Sequence, residues 1–278
     1  MSDFAHKFHP LQHGFLPSRS CTTSLIHSVS IYKRILKSHK TLDIVYFDYQ
    51  KAFDKVPHNL LINKLRSFGF PSIYCQWFND FLSNRHFSVK INNYIQPTKT
   101  AIPSGVPQGS VSGPFLFLVF LNDLLYSLPS TIHFSVFADD IKVYHHNPHI
   151  VQNAINIISD WSVSNELPLA ESKTSLLRLG SLNPKQLYFI SNSPILASSS
   201  VRDLGLLTDS SLKFELHINQ KIALSLLRAK QLLKSFRSSN PSFYSTLFKT
   251  YVLPILEYGS SVLLTLTLLN PPPSYLLN

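Results

Sequence analysis

The fold of this 278-residue chain is decided by two stretches, Phe47-Asp48-Tyr49-Gln50-Lys51-Ala52-Phe53-Asp54 and Phe137-Ala138-Asp139-Asp140. The apolar, β-branched and aromatic run before Asp48, Leu42 to Phe47, predicts a buried strand. Two short strand-like runs, His133 to Phe137 and Ile141 to His145, flank the turn that holds the two adjacent acids of the second stretch. The sequence therefore predicts carboxylates at the ends of neighbouring strands.

The rest of the chain alternates helical and strand-like segments. Helices are predicted for Thr23 to Leu36, between Pro57 and Gly69, and for Ser72 to Leu82, Phe115 to Ser127, Ile150 to Trp161 and His217 to Phe236. Asn92-Asn93 predicts a tight hairpin turn. Serine-rich residues 191–200 predict a flexible connector before a single strand, Val201 to Leu207. Helices mixed with antiparallel strands predict an α+β fold.

Charge and composition narrow the class of protein. The chain has 25 Lys and Arg against 15 Asp and Glu, a net charge of +10 that favours nucleic acid or an anionic membrane surface as partner. The longest apolar run, Phe115 to Leu121, is far shorter than the ~20 residues of a membrane span, and no signal sequence begins the chain. Cys21 and Cys75 are isolated, which argues against disulfides or a zinc site. We expect an intracellular protein, in the nucleus or cytoplasm, without a membrane partner.

The clustered acids suggest a cation site. Carboxylates that crowd together repel one another unless a cation neutralises them, and Mg²⁺ is the usual neutraliser for oxygen ligands. In a two-metal site, ions ~3.5–4 Å apart stabilise the attacking and leaving oxygens of an in-line phosphoryl displacement. The alternative is that Asp48 and Asp139 are solvated strand-end and turn residues, as Asp commonly is. Spacing alone leaves both interpretations open.

The sequence motifs around the acids resemble those of a known family. Residues 47–58, 105–114 and 137–140 resemble, in order and separation, three central motifs of non-LTR (LINE-type) retrotransposon reverse transcriptases. Gln12-His13-Gly14-Phe15 with Arg19-Ser20 looks like the fingers element of that family, and Val201-Arg202-Asp203-Leu204-Gly205 looks like its primer grip. The resemblance covers about residues 11 to 259.

The resemblance implies a right-hand polymerase: a palm with an antiparallel sheet backed by helices, partial fingers and a mainly helical thumb. It places partial fingers at 1–41, the palm with inserted fingers elements at 42–190, the primer grip and thumb at 191–259, and an irregular C-terminal tail at 260–278. The basic helix Lys221 to Lys234 would follow the duplex backbone, unless it is an ordinary solvated helix. An upstream fingers strand and an endonuclease domain are absent, so the chain resembles a reverse transcriptase domain truncated at both ends.

The activity that the resemblance implies is RNA-directed DNA synthesis. Asp48 and Asp139 would bind two Mg²⁺ ions with Asp140 alongside, and Mn²⁺ is a possible substitute. The implied partners are an RNA template, a DNA primer and deoxynucleoside triphosphates, while the oligomeric state stays unknown. Lys173 matches a lysine near the leaving pyrophosphate, a candidate general acid, although a solvated lysine is an equal alternative.

The resemblance also implies a set of nucleotide-binding and primer-binding residues. Phe53 matches the steric gate that excludes a 2′-hydroxyl, with a core aromatic as the alternative. The other nucleotide-binding positions are Tyr49, Gln108, Gly109, Arg19 and Lys51, and the primer-grip positions are Leu204 and Gly205. Gly109 would permit close backbone approach, and the Gln108 amide offers both a donor and an acceptor. Arg19 and Lys51 could equally be solvated surface charges.

Two positions depart from the family pattern. Leu16 stands where many relatives carry Arg, and Ala170 stands where an Asn is often found. These departures leave an alternative of a different class, a catalytically inactive nucleic-acid-binding remnant. A metal-dependent nuclease would use the same acids, but it would need neither a sugar gate at Phe53 nor template positioning at Gln108 and Gly109.

Overall fold

The structure, a computed structural model, describes residues 2–269. The chain forms two compact units. The first unit contains the chain up to Ser20, Asp43–Leu176 and Lys185–Leu196; the second contains Cys21–Leu42, Leu177–Pro184 and the chain from Ala197 onward. Within the described residues, no helix combines the length and apolar character needed to span a membrane.

Helices and short strands alternate along the chain. The helices are α1 (Cys21–His39), α2 (His58–Phe68), α3 (Ser72–Leu82), α4 (Ser112–Ser127), α5 (Pro148–Ser164), α6 (Glu215–Ser235), α7 (Pro241–Tyr251), α8 (Leu253–Glu257) and α9 (Ser260–Leu269), with 3-10 turns at Ser2–Lys7 and Ala52–Asp54. The strands are β1 (Leu42–Phe47), β2 (His86–Phe87), β3 (Lys90–Ile91), β4 (Tyr94–Ile95), β5 (Thr100–Ala101), β6 (His133–Phe137), β7 (Asp140–His145), β8 (Ser175–Leu179), β9 (Phe189–Ile190), β10 (Ser193–Pro194), β11 (Ala197–Ser198), β12 (Ser200–Asp203) and β13 (Leu206–Asp209).

The first unit is built around an antiparallel sheet in which β7 lies between β1 and β6. Phe47 of β1 is opposite Ile141 of β7, and Phe137 of β6 is opposite Asp140 at the start of β7. The segment before Gly14 adds to the free side of β6, because Gln12 forms a parallel bridge with Val136. The three strands and the β6–β7 pair were predicted from the sequence, and the structure adds the pairing of β1 with β7.

Helix α4 is the centre of the hydrophobic core of this unit. Its run from Phe115 to Leu121 is buried on all sides, which explains why this helix lacks the polar face of an amphipathic helix. Helix α2 contacts both α3 and α4, and α5 packs on β7. Helix α2 follows Pro57 and ends at Gly69, whose φ of 97° and backbone N–H bonds to Arg66 and Leu65 form a C-terminal cap.

The second unit contains the hairpin β12–β13 and the helices that follow it. Helix α6 contacts β13, α7 and α8, while α1 contacts α9. The predicted single strand from Val201 to Leu207 is wrong, because Leu204 and Gly205 both have positive φ, 46° and 83°, and turn the chain back on itself.

Two further expectations concern irregular segments. The serine-rich connector contains the short strands β10 and β11. The predicted irregular tail is wrong for Ser260–Leu269, which is helical, and residues 270–278 lie outside the described part of the chain. The domain boundaries at 41, 190 and 259 stay predictions.

Candidate active site

The sheet register brings the predicted acids together. Asp48 follows Phe47 directly, and Phe47 is opposite Ile141, the residue after Asp140. Asp139 precedes Asp140 in the β6–β7 turn, so all three acids lie at one end of β1 and β7.

The surroundings of Asp139 disfavour the negatively charged form of its carboxyl group. Burial raises the pKa of its carboxyl above the ordinary value of 3.8, a bond from its own backbone N–H offsets part of this, and the negative charge of Asp48 raises it further. Asp140 is exposed and Asp139 half-buried. The negative charge of Asp48 therefore acts on the carboxyl of Asp139.

Asp48 already has one cationic neighbour. The Nζ of Lys173 lies 3.2 Å from a carboxylate oxygen of Asp48, and both side chains are well exposed. The loop that carries Lys173 is tied to the strand end, since the Ala170 N–H donates to the Asp48 carbonyl at 2.7 Å and the Gln50 amide donates to the Leu169 carbonyl at 3.0 Å. Lys173 thus lies beside Asp48, while its role as a general acid stays a prediction.

The acids fit a cation that is held partly by a substrate. Among residues 2–269, no group of three or more His, Cys, Asp or Glu side chains could hold a metal ion, so Asp48, Asp139 and Asp140 do not form the predicted three-ligand set. Mg²⁺ at phosphoryl-transfer sites usually takes one or two carboxylates and completes its shell with water and substrate phosphates. Asp48 and Asp139 meet that requirement, because the repulsion between them would be relieved by a divalent cation.

Phe53 lies in the 3-10 turn after the first acid and is held by other aromatic rings. Its ring stacks on Phe117 of α4 with centroids 4.4 Å apart and an interplanar angle of 16°. Phe15 meets the Phe53 ring edge-on at 6.1 Å. Phe53 is only half-buried, so it is both packed against the core and accessible from the surface.

The loop that contains Gln108 and Gly109 is joined to the same 3-10 turn. The Val106 N–H donates to the Phe53 carbonyl at 2.8 Å, and the Gln108 side-chain amide donates to the Asp54 carboxylate at 2.8 Å. Gly109 is exposed, has a φ of 80°, and would place an added Cβ in open space. Its glycine is therefore required by backbone conformation, and the space beside it is free for a ligand.

Sequence reasoning missed the part that Asp54 plays in this loop. Asp54 lies three residues before Pro57, the N-cap of α2, and its carboxylate holds the side chain of Gln108. The hydrogen bond between Gln108 and Asp54 could not be predicted from local sequence, because it joins residues 54 apart that only the tertiary fold brings together.

The predicted nucleotide contact of Tyr49 is wrong, and the roles predicted for the cationic side chains of Lys51 and Arg19 stay predictions. The Tyr49 ring lies in the hydrophobic core at 3% exposure, so it offers no surface to a nucleotide, and burial raises the pKa of its hydroxyl. Lys51 is exposed and has a φ of 51°, next to the loop of Lys173. Arg19 is exposed, four residues after Phe15. In the described part of the chain, its backbone N–H donates to the Leu16 carbonyl, and no hydrogen bond or ion pair joins its side chain to the acids.

The predicted primer-grip residues form the turn of the second unit's hairpin. The hydroxyl of Tyr258 donates to the Leu204 carbonyl, and the Tyr258 ring lies 3.0 Å from where a Cβ on Gly205 would be. His217 of α6 also supports the hairpin, since its Nδ1 accepts from the Leu207 N–H at 3.2 Å. Burial lowers the pKa of His217, which favours the neutral ring that can accept this bond.

The antiparallel sheet with acids at its strand ends agrees with the predicted palm of a right-hand nucleic-acid polymerase. A solved structure supports this class: apo telomerase from Candida tropicalis is similar with a TM-score of 0.53 and 13% identity, over 77% of this chain and 41% of that one. At this identity the likeness shows the fold alone, and it confirms the predicted fold class.

The chain belongs to the reverse transcriptase (RNA-dependent DNA polymerase) family, which matches residues 1–208. It is 26% identical to the probable RNA-directed DNA polymerase from transposon X-element of Drosophila melanogaster, over 90% of this chain and 29% of that protein. It is also 26% identical to the RNA-directed DNA polymerase from mobile element jockey of the same species, over 91% of this chain and 28% of that protein. These similarities confirm the non-LTR resemblance, and the chain spans less than a third of the length of these curated relatives.

Proposed function

We propose that the chain is an RNA-directed DNA polymerase that adds deoxynucleotides to a primer 3′-hydroxyl with the help of two Mg²⁺ ions, for which Mn²⁺ could substitute. The observation that carries the proposal is the electrostatic coupling of Asp48 and Asp139 at the ends of β1 and β6. A pair of close carboxylates in a reverse transcriptase palm is suited to a shared divalent cation.

The acids and Lys173 have different roles in the proposed reaction. Asp48 and Asp139 hold the cations, and Asp140 contributes negative charge beside them. When bound, Mg²⁺ lowers the pKa of the primer hydroxyl and neutralises the triphosphate. Lys173, already close to the acids, is placed to donate a proton to the departing pyrophosphate. Attack on the α-phosphate forms the new phosphodiester bond and releases pyrophosphate.

Other side chains select and orient the substrates. Phe53 stands one turn beyond Asp48 and would contact the sugar of the incoming nucleotide. Gln108, oriented by Asp54, and the open backbone at Gly109 would contact the template and nucleotide. Lys51 and Arg19 are candidate contacts of the triphosphate, and Leu204 with Gly205 would hold the primer end. The substrates are an RNA template, a DNA primer and deoxynucleoside triphosphates, which places the activity inside the cell, in the nucleus or cytoplasm.

Primer extension on an RNA template tests the proposal. We expect labelled DNA primer to lengthen with Mg²⁺ and all four deoxynucleotides, and to stay unchanged when the ion is removed with EDTA. Template binding without extension would favour the inactive remnant. Shortening of labelled strands in place of their growth would favour the nuclease.

Replacing Phe53 with Val is expected to admit ribonucleotides. The smaller side chain removes the edge of the ring that would meet a 2′-hydroxyl, so discrimination against ribonucleotides should fall by about 10²-fold, the size of selectivity that steric contacts in a pocket commonly supply. Single-nucleotide kcat/KM for matched deoxy- and ribonucleotides measures the ratio. Phe117→Val changes the stacking partner without changing the gate position. Equal loss of discrimination in the two variants would mean that the ring acts only through packing.

Replacing Tyr258 with Phe is expected to weaken primer binding. Loss of the bond to the Leu204 carbonyl costs about 1 kcal/mol, so the KM for primer–template should rise about fivefold while kcat changes less. Tyr251→Phe removes a hydroxyl from the exposed surface of α7 and serves as the control. A Tyr258→Phe variant with unchanged KM would show that the hairpin turn does not hold the primer.

A further inference from the structure

The segment before Gly14 runs beside the strand that leads into the acidic turn. The Val136 N–H of β6 donates to the Leu11 carbonyl at 3.1 Å, and the His13 N–H donates to the Val136 carbonyl at 2.7 Å. These two bonds fix the position of Gln12 along β6. A side chain at this position lies within reach of the residue two places further along β6 and into the turn.

The Gln12 side chain makes that contact. It is 2% exposed, and its amide oxygen accepts two hydrogen bonds, from the Gly14 N–H at 2.7 Å and from the Ala138 N–H at 2.9 Å. A buried acceptor with two donors is fully occupied and gives a defined geometry. Gln12 thus joins its own segment to the turn residue just before Asp139.

Ala138 needs such a contact. Its φ of 56° lies in the left-handed region, which an alanine rarely adopts because its Cβ approaches the following carbonyl oxygen. The surrounding structure must hold the residue there. Ala138 is buried, and the direction of the Asp139 side chain depends on the backbone angles of Ala138.

We infer that Gln12 is a positioning residue for catalysis: its amide oxygen holds Ala138 in the left-handed conformation and so aims the carboxylate of Asp139 at the cation site. The inference rests on the proposed function for the role of Asp139. It goes beyond the roles given to the acids, because Gln12 touches neither substrate nor cation and acts through a single backbone N–H.

The chain offers a matched control. Asn122 of α4 is also a buried amide, and it holds the same N-terminal segment through two backbone bonds, from the His9 N–H to its oxygen and from its nitrogen to the Lys7 carbonyl. It makes no contact with the turn among these bonds. Asn122→Leu and Gln12→Met therefore both loosen the segment, but only the second releases Ala138.

The test combines amide exchange with kinetics on the full chain. In Gln12→Met, the Ala138 amide proton, followed by NMR in protein with ¹⁵N-labelled alanine, is expected to exchange about tenfold faster than in Asn122→Leu. The kcat for primer extension should fall about tenfold or more relative to Asn122→Leu, with the KM for primer–template within about twofold, because misplacing a reacting group lowers the rate of chemistry. Gln12→Glu keeps an acceptor oxygen at nearly the same volume and should keep Ala138 protected, which supplies a second variant beside Gln12→Met.

Distinct results separate the possible failures. Equal Ala138 exchange in Gln12→Met and Asn122→Leu, or losses of kcat that match in the two variants, would overturn the positioning role. Ala138 exchange as fast in Gln12→Glu as in Gln12→Met would also overturn it. If the unmodified chain does not extend primers, the proposed function fails, while the exchange comparison still decides whether Gln12 holds the turn. Mn²⁺ affinity measured by electron paramagnetic resonance, expected to be weaker in Gln12→Met than in Asn122→Leu, reports on Asp139 without turnover.

Discussion

Replacing Asp139 with Asn is expected to lower the kcat for primer extension by about 10³-fold or more. A cation at a phosphoryl-transfer site supplies several kcal/mol of transition-state stabilisation, and each 1.36 kcal/mol is a factor of ten in rate. Asn keeps the shape of the side chain but removes the charge that would hold the ion. Steady-state primer extension at saturating deoxynucleotide and Mg²⁺ measures the change.

The same substitution is expected to leave the fold as stable as before, or more stable. The pKa of Asp139 is raised in the folded protein, first by burial and then by Asp48, so the charged carboxylate opposes folding at neutral pH. The stability that the protonated form contributes is complete below the unfolded-state pKa and is lost as pH rises through the higher folded-state pKa. The gain in Tm of Asp139→Asn over the unmodified chain should therefore grow as pH rises through that window and then level off.

Asp160→Asn is the matched control, because it makes the same change at an exposed position of α5. We expect it to leave kcat unchanged. Near-normal kcat in Asp139→Asn would remove this acid from the cation site. A lower Tm at neutral pH would show that the Asp139 charge is favourably paired in the folded protein.

Replacing Gly14 with Ala is expected to damage the acidic turn through crowding alone. An added Cβ would lie 2.4 Å from the Ala138 nitrogen and 3.0 Å from its Cα, both backbone atoms that cannot rotate away. Overpacking of this kind costs about 1–3 kcal/mol, and the resulting shift of the turn should lower kcat about 10²-fold. Thermal unfolding and primer extension measure the two effects.

Gly109→Ala separates crowding from backbone strain. Gly109 has a positive φ but open space around its Cβ position, so Ala there should cost about 1 kcal/mol through conformation alone. If Gly14→Ala keeps normal kcat, the approach of this segment to the acidic turn is unimportant for catalysis. If it loses kcat without losing Tm, the turn has moved while the fold has adapted.

Segments with a strong hydrophobic period were predictable from the sequence. Helix α3 spans the predicted residues, although it buries only Cys75 and Leu82 and leaves Ile73, Tyr74 and Trp77 exposed. Strands β1 and β6 have the predicted bounds, since each is a short, mostly buried apolar run. The turn at Leu204 was not predictable, because a leucine gives no signal for positive φ and only the following glycine marks the reversal. Helix α9 was missed for a similar reason, as its leucines and threonines carry no amphipathic pattern.

The candidate acids could be predicted from the sequence, but the residues that hold them in place could not. Asp48, Asp139 and Asp140 occupy strand ends, a position that apolar runs on either side reveal. The side chain of Tyr49 points to the core because neighbouring residues of an extended chain face opposite sides, which the resemblance to a motif does not convey. The bond of Gln12 to Ala138 joins residues 126 apart in the chain, so local sequence could not reveal it.

The ion pair between Lys173 and Asp48 gives the site a built-in exchange of counter-ions. Lys173 is well exposed and Asp48 partly exposed, and exposed pairs contribute only about 0–1 kcal/mol, so the lysine can leave the carboxylate at little cost. A divalent cation held by Asp48 would replace the lysine as its counter-ion, and the released ammonium would stay near the acids. Under the proposed function, cation binding and the availability of Lys173 as a proton donor would then be linked through Asp48.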